Sequence, residues 1–216
     1  MIIESVETGS SAENTWILEL HDDEETLLKN MRQTTRNLIR RGEREGVEIK
    51  MSQSKSSLTG LIKLLNETAK RHNFVAFSKN YIETEFNAFK ETGEAQVFEE
   101  YFEGKLASSA VIFFYGDTAV YRHGASTSDR IKCQPSYLLQ WHAIKEAKKR
   151  GIKYYNFWGI APNNGPKNHP FAGITTFKTG FGGKQKNLLH CQDLPISKKY
   201  WLNWTIETFR RVKRGF

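Results

Sequence analysis

The stretch SYLLQWHAIKEAKKRGIKYYNFWGI, residues 136–160, contains the most clearly patterned helix of the chain and a strand directly after it. Apolar residues recur at positions 138, 141, 144 and 147, basic residues fill the last turn, and Gly151 ends the pattern. Such spacing predicts an amphipathic helix. The apolar and aromatic run that follows predicts a buried strand, so the centre of the fold is expected here.

The segments around this centre alternate in an order typical of an α+β protein. A strand at 15–20, two helices up to Gly46 and a strand at 47–53 come first. Two helices opened by serines, at 56–72 and 78–92, precede a meander of strands with turns at Gly104 and Gly116. A short helix at 171–183, a final strand at 186–195 and a terminal helix at 197–216 complete the chain.

This order resembles the GNAT type of acyltransferase fold. The resemblance implies a mixed, mostly antiparallel sheet flanked by helices. It also implies two central strands that splay apart, with the acyl donor in the gap between them. The Gln/Arg-x-x-Gly-x-Gly/Ala turn that places the pyrophosphate of acetyl-CoA on backbone amides is not found in the sequence. Acetyl-CoA is therefore a poor candidate for the donor.

The composition favours anionic partners but does not identify which kind of anion the protein binds. The chain has 216 residues, a net charge of +8 and a pI near 9.4, which favours nucleic acid, phosphorylated substrates or anionic lipid. Cys133 and Cys191 stand far apart and suggest neither a disulfide nor a zinc site, and we expect no metal or cofactor. With no signal peptide and no long apolar run, a cytoplasmic location is expected.

Four arginines are spaced four residues apart in the second helical segment, at positions 32, 36, 40 and 44. Like charges on one helix face repel, so the stripe costs stability unless it binds an anion. The stripe can be interpreted as a solvated helix face or as an anion-binding ridge. On the second interpretation we predict that Arg36 and Arg40 bind phosphate. Thr34 and Thr35 offer an alternative start for this helix, which would leave Arg32 outside the stripe.

The stretch GITTFKTGFGG, residues 173–183, places a lysine between two phenylalanines and among four glycines. Burying an ammonium group is costly unless something pairs with it. Lys178 is therefore either a surface residue beside two core aromatics or a cation directed into a pocket. The sequence alone leaves both interpretations open.

The terminal segment 197–216 combines Trp201, Trp204 and Phe209 with six lysines and arginines. Such a helix can dock on the core, lie on a membrane surface or contact RNA. We predict that the side carrying Trp201 and Trp204 packs against protein.

Several ordered motifs carry a closer resemblance to the Fem/MurM aminoacyltransferases, which build peptidoglycan cross-bridges. They are MRQTTRNLIRRGEREGVEI, YRHGAS, the opening stretch above, and HPFAGITTFKTGFGGKQ followed by DLP, and the resemblance extends over about residues 15–196. The resemblance implies transfer of an amino acid from aminoacyl-tRNA to an amine on the stem peptide of a peptidoglycan precursor, lipid-linked or UDP-linked. It also implies two GNAT-like halves and leaves a peripheral contact with the inner face of the membrane open.

The chain departs from the family pattern in two places. Typical members carry a long first half before the segment that resembles residues 15–20, so this chain is expected to be either a fragment or a naturally short member. We expect residues 1–46 to be a remnant or linking segment, residues 47–196 a GNAT-like domain and residues 197–216 a basic amphipathic helix. Phe77 stands where members tend to show an arginine, in Phe77-Ser78-Lys79-Asn80-Tyr81. Lys79 or Arg71 is the candidate substitute for that phosphate contact.

The resemblance also suggests roles for individual residues. Lys178 corresponds to a family lysine that would stabilise the oxyanion of transfer, with Phe177 beside it excluding water. The expected substrate-binding residues are Arg36, Arg40, Tyr81, Tyr121, Ser126, Tyr155, Phe181 and Gly182. Acylation by a donor other than tRNA and a non-catalytic, half-size binding module remain as alternatives.

Overall fold

A computed structural model describes residues 4–5, 13–72, 75–129, 134–162, 171–189 and 192–214 of the chain. The predictions made for Cys133 and Cys191 lie outside these residues. The helices are α1 Glu24–Asn30, α2 Gln33–Arg44, α3 Lys55–His72, α4 Lys79–Lys90, α5 Tyr137–Lys149, α6 Ala172–Thr179 and α7 Lys199–Arg214. The strands are β1 Glu4–Ser5, β2 Asn14–Glu19, β3 Glu48–Ser52, β4 Ala95–Phe102, β5 Lys105–Tyr115, β6 Thr118–Ser126, β7 Tyr154–Gly159, β8 Lys184–Asn187 and β9 Gln192–Asp193.

Seven of the strands form one sheet in the order β3-β4-β5-β6-β7-β2-β8. Neighbouring strands are antiparallel except β6 and β7, which run parallel because α5 connects them as a crossover helix. Helices cover both faces, and β1 pairs separately with β9. This mixed, mostly antiparallel sheet flanked by helices is the GNAT-like α+β fold that the sequence predicts.

The two parallel strands stay together over only three residue pairs, Thr118–Val120 with Tyr154–Asn156. Beyond this point β6 continues its pairing with β5 as far as Ser126, and β7 continues with β2 as far as Gly159. The two strands therefore diverge in the middle of the sheet. Their divergence confirms the predicted splay and creates an opening between β6 and β7.

Two hydrophobic cores hold the helices on the sheet. One face packs α1, α2, α5 and α6 around Ile39, Leu139, Ile144 and Phe157, all almost completely buried. The other face packs α3 and α4 through residues such as Leu61. The apolar residues predicted along α5, at 138, 141, 144 and 147, are all buried, which confirms the amphipathic pattern.

Two predictions about the C-terminal part need correction. The final strand predicted at 186–195 is divided between two sheets: β8 Lys184–Asn187 pairs with β2, and β9 Gln192–Asp193 pairs with β1. Gly182 and Gly183 lead the chain to the edge of β2. The Trp201 and Trp204 side of α7 packs on protein only in part: these residues are 47% and 38% exposed, and their rings contact each other. The boundary proposed at residue 46 stays a prediction.

Membrane-spanning capacity can be judged from the helices themselves. Within the described ranges, every helix is too short or too polar to cross a bilayer.

Gly183 offers a test of the turn by which the chain passes from α6 to β8 at the edge of β2. Its φ of 93° lies in the left-handed region, and an added Cβ would collide with the carbonyl oxygen of Ile17. We expect Gly183→Ala to lower the free energy of unfolding by about 2 kcal/mol or more in urea titrations. Gly173→Ala, within α6 and with open space around it, should be neutral or stabilising by under about 1 kcal/mol. Equal effects of the two substitutions would contradict this view of the turn.

Candidate functional site

The opening between β6 and β7 is lined by two backbone irregularities, one on each strand. In β6, Arg122 is an extra residue between the pairs Ile112–Tyr121 and Val111–His123, which makes it a β-bulge. In β7, Trp158 has a φ of 67°, a conformation that costs a bulky residue free energy. Its N–H donates to Asn156 Oδ1 at 2.7 Å, which helps to hold it there.

These two residues meet across the opening. The Arg122 guanidinium lies 5.0 Å from the centre of the Trp158 ring and 5.3 Å from that of Phe77. Both distances suit cation–π attraction. The bulge and the left-handed residue thus direct two side chains of diverging strands into one contact, which we call the Arg122–Trp158 bridge.

Glu85 of α4 fixes the charged end of this bridge. Arg122 Nε donates to Glu85 Oε1 at 2.9 Å, and His123 Nε2 lies 2.5 Å from Glu85 Oε2. Burial raises the pKa of Glu85, but the hydrogen bonds and charges of His123 and Arg122 more than offset this, so the net pKa is lowered. Arg122 also donates to the Tyr81 hydroxyl at 3.1 Å. The Tyr81 hydroxyl in turn donates to Glu85 Oε1 at 3.4 Å, so one carboxylate orients a guanidinium, an imidazole and a phenol.

Tyr81 stands beside a cleft between the end of α3 and the start of α4. Its ring stacks on Phe77 with centroids 4.8 Å apart, and it is 42% exposed. The cleft has a volume of about 590 Å³ and is lined by Asn66, Ala69, Lys70, Ala76, Phe77, Ser78 and Lys79. Although Phe77 replaces the arginine expected from the family pattern, Arg122 brings a guanidinium to its ring. The arrangement offers aromatic surface and positive charge together.

Lys178 is not a surface residue. It lies in the last turn of α6, is 5% exposed, and donates from Nζ to the carbonyl oxygen of Gly159 at 2.5 Å. Burial lowers its pKa to about 8. Because Gly159 ends β7, the cation is held at the end of a strand that lines the opening.

The aromatic residues around Lys178 divide into core and partly accessible members. Phe181 is completely buried and stacks on Phe157, and Tyr155 is completely buried with its hydroxyl donating to Gln140 at 2.7 Å. The structure therefore removes Tyr155 and Phe181 from the side chains that can contact a substrate directly. Phe177 is half-buried and stays a candidate for excluding water.

The glycines after Lys178 serve close packing between elements of the chain. An added Cβ at Gly180 would collide with Thr35 of α2, and one at Gly182 would approach the Asn30 carbonyl oxygen at 3.3 Å. Trp16 Nε1 donates to the Gly182 carbonyl at 2.6 Å. Gly182 thus has a structural role, and its contact with substrate stays a prediction.

Tyr121 and Ser126 both lie on the β6 side of the opening and are half-buried. The Tyr121 ring lies over Gly124, where any larger residue would collide with it. Burial raises the pKa of Tyr121 to about 12, so its hydroxyl stays a proton donor at neutral pH. Thr68 and Arg71 of α3 contact the carbonyl oxygen of Ser126. Both residues stay predicted substrate contacts.

The arginine stripe separates into different roles. Arg32 precedes α2 and donates to the Thr176 carbonyl, so the helix begins after it, as the threonine alternative allowed. Arg36 donates to the carbonyl oxygens of Lys29 and Met31 and thereby caps the end of α1. These bonds give Arg36 a structural partner, and its phosphate contact stays a prediction. Arg40 is exposed.

A buried carboxyl group at the start of α5 escaped sequence reasoning. Glu100 of β4 accepts from the Ser136 N–H at 2.7 Å and from the Ser108 hydroxyl at 2.8 Å. Burial raises its pKa, and the hydrogen bonds only partly offset this. Ser136 makes no side-chain cap of its own, so Glu100 provides the cap of α5 from another strand. The sequence of β4 alone gives no sign that Glu100 contacts the start of α5, because the two are far apart in the chain.

The Glu85 contacts lead to a stability prediction. Arg122 and Glu85 have side chains only 16% and 18% exposed, so Glu85→Gln leaves a poorly solvated guanidinium without its counter-charge. We expect a loss of about 2–4 kcal/mol in the free energy of unfolding at pH 7. Glu83→Gln on the same helix removes an exposed pair with Lys79 and should cost under about 1 kcal/mol. A loss for Glu85→Gln no greater than that for Glu83→Gln would contradict the anchoring role.

The lowered pKa of Lys178 predicts a pH dependence of stability. In the unfolded chain the lysine titrates near 10.5, and in the folded chain near 8, so between these values the unfolded state binds more protons. The free energy of unfolding should therefore rise with pH by up to about 3 kcal/mol across this window. Urea unfolding of the native chain and of Lys178→Met at pH 7 and pH 10 isolates the effect, because only the native chain should show this rise. Parallel curves would exclude a buried, destabilised ammonium.

Comparison with known proteins bears on the family and the fold of the chain. The family model of the FemAB family matches residues 5–99 and 90–208. A lipid II:glycine glycyltransferase of Staphylococcus haemolyticus (strain JCSC1435) is 33% identical over 79 residues, which are 37% of this chain and 19% of that protein. Aminoacyltransferase FemA of Staphylococcus epidermidis is 30% identical over 117 residues, 53% of this chain and 27% of that protein.

The crystal structure of FemX superposes with a TM-score of 0.81 at 17% identity, covering 93% of this chain and 66% of the FemX chain. That likeness establishes a shared fold. The curated relatives are matched over about a fifth to a quarter of their own length. Since the family model covers most of the sequence, the chain belongs to the FemAB family.

Proposed function

We propose that this protein is an aminoacyltransferase that moves an amino acid from aminoacyl-tRNA to an amine on the stem peptide of a peptidoglycan precursor. The observation that carries the proposal is Lys178, a buried cation held at the end of β7 beside the opening between β6 and β7. In a FemAB chain, that opening is the natural place for an acyl group between two diverging strands.

The chemistry requires a stabilised negative charge. The acceptor amine attacks the ester carbonyl carbon of the aminoacyl-tRNA, a C–N bond forms, and the carbonyl oxygen becomes an oxyanion. The ester C–O bond then breaks, the amine loses a proton, and the ribose oxygen leaves and gains one. With a pKa near 8, Lys178 is mostly protonated at neutral pH, and a preorganised cation lowers the energy of such an oxyanion.

The acceptor is expected to occupy the cleft beside Tyr81. Lys70 and Lys79 line the cleft, and Arg122 adds a guanidinium at its Phe77 side. Positive charge next to exposed aromatic rings suits a ligand that carries both phosphate and less polar groups. The S. haemolyticus relative is named for lipid II as its acceptor, and we extend a precursor of that kind to this chain.

The donor is expected to be a nucleic acid and not an acyl-CoA. A helix that follows the splayed strand could receive a pyrophosphate on its N-terminal amides. Here the carboxyl group of Glu100 already accepts from the Ser136 N–H at the start of α5 and would repel a phosphate brought to that position. The net charge of +8 favours tRNA, and exposed Arg40 is a candidate phosphate contact.

The setting of the reaction follows from the acceptor. A lipid-linked precursor lies in the membrane, so we propose a cytoplasmic protein with a peripheral contact at the inner face of the membrane. Residues 1–46 are proposed as a segment that links to a further GNAT-like half, residues 47–196 as the domain carrying Lys178, and residues 197–216 as a basic amphipathic helix.

The decisive test is single-turnover transfer of labelled amino acids from charged total tRNA to a purified precursor. Lys178→Met keeps most of the side-chain volume, which matters because the residue is buried and not at the rim of a pocket. We expect its turnover to fall by about 10²–10³-fold with little change in precursor binding, because the charge it serves forms only during the reaction.

Lys184→Met provides the matched control. Lys184 is exposed and pairs with Glu19 on the surface, so its loss should leave turnover unchanged. Native turnover in the Lys178→Met variant would exclude the proposed role of Lys178. Precursor binding by the native chain without any transfer would contradict the aminoacyltransferase and favour a binding module instead.

A further inference from the structure

The terminal helix α7 presents a broad apolar face to solvent. Leu202 and Phe209 are 66% and 73% exposed, and Trp201, Trp204 and Ile206 are between 38% and 47% exposed. At 100° per residue these five positions spread over an arc of about 200° around the helix. Exposed apolar patches of this kind are typical of surfaces that bind another protein, a membrane or a ligand.

The other side of the helix is basic. The segment 197–216 contains six lysines and arginines and one acid, Glu207. Among the described side chains, Lys198 and Lys199 stand exposed at the start of α7, and Arg210 pairs with Glu207. Within α7, Lys199 and Arg210 fall on the remaining arc, so Trp, Leu and Phe cover one part of the surface and basic residues border it, the pattern of a helix that lies in a membrane interface.

We propose that α7 docks this protein on bilayers containing anionic phospholipid, with its apolar face among the upper acyl chains and its lysines and arginines at the headgroups. The aliphatic side chains decide against RNA, because Leu202 and Ile206 neither stack on bases nor form hydrogen bonds with them. The charge decides against a second copy, because pairing two such helices would bring together their basic borders with one acid on each.

Full-length protein is mixed with vesicles of phosphatidylcholine alone or with added phosphatidylglycerol, and the bound fraction is measured by co-sedimentation. We expect binding to the anionic vesicles only. Lys198→Gln with Lys199→Gln should weaken it about thirtyfold, given the usual contribution of each charge near an anionic surface. The matched control, Lys63→Gln with Lys105→Gln, changes net charge equally at exposed sites elsewhere and should have a much smaller effect.

The apolar face is tested in the same way. Leu202→Asn with Phe209→Asn should weaken binding at least about tenfold, since two large side chains no longer enter the acyl region. Met51→Asn with Tyr115→Asn, at positions 52% and 67% exposed, is the matched control. Brominated acyl chains should quench the fluorescence of the native chain more strongly than that of Trp201→Phe with Trp204→Phe.

Three results would overturn the proposal. The first is the absence of binding to anionic vesicles. The second is an equal loss in the α7 variants and their controls, which would indicate a general effect of charge or exposed apolar surface. The third is a dimer in light scattering that Phe209→Asn dissociates. The assay contains neither tRNA nor precursor, so its failure leaves the proposed transfer reaction untouched.

Discussion

The divergence of β6 and β7 is the constraint on which the rest of the structure depends. Each strand keeps an antiparallel partner on its outer side, β5 for β6 and β2 for β7, so both strands stay in the sheet although their facing edges no longer pair with each other beyond Val120 and Asn156. Everything that distinguishes this site borders that opening: the bulge at Arg122, the left-handed Trp158 and the carbonyl of Gly159. The fold thus creates a polar gap at the boundary between two hydrophobic cores.

Sequence patterns predicted the elements well because periodicity and turn residues are local signals. The apolar spacing of α5, the Ser78 cap of α4 and the glycine turns of the meander each act within a few residues, and each is found in place. The strand predicted at 186–195 failed for a tertiary reason. Lys186 and Asn187 belong to β8 on the edge of β2, where Gly183 sets the approach, whereas Gln192 and Asp193 pair with β1.

The site was predictable only in part, because its contacts join residues far apart in the chain. The lysine of GITTFKTGFGG could be singled out, but whether it faced solvent or protein depended on where β7 ended. The Glu85 contacts with Arg122 and His123 span nearly forty positions and leave no periodic trace. Arg36 has a contact of which its regular spacing gave no sign: its guanidinium caps the neighbouring helix, and its phosphate contact stays a prediction.

The burial of the charged Lys178 side chain costs free energy, and the hydrogen bond to the Gly159 carbonyl oxygen offsets part of that cost. A fully solvated lysine would keep its charge but would lie outside the opening, whereas a deeply buried one without a partner would lose its proton at neutral pH. The carbonyl of Gly159 offers an acceptor without a negative charge, so the ammonium is held in place but not neutralised. A carboxylate in that position would hold the cation more firmly and cancel the field that an oxyanion requires. Pairing with a neutral acceptor therefore keeps the buried cation charged and leaves its field free to act on an oxyanion. The consequence is a pKa lowered to about 8.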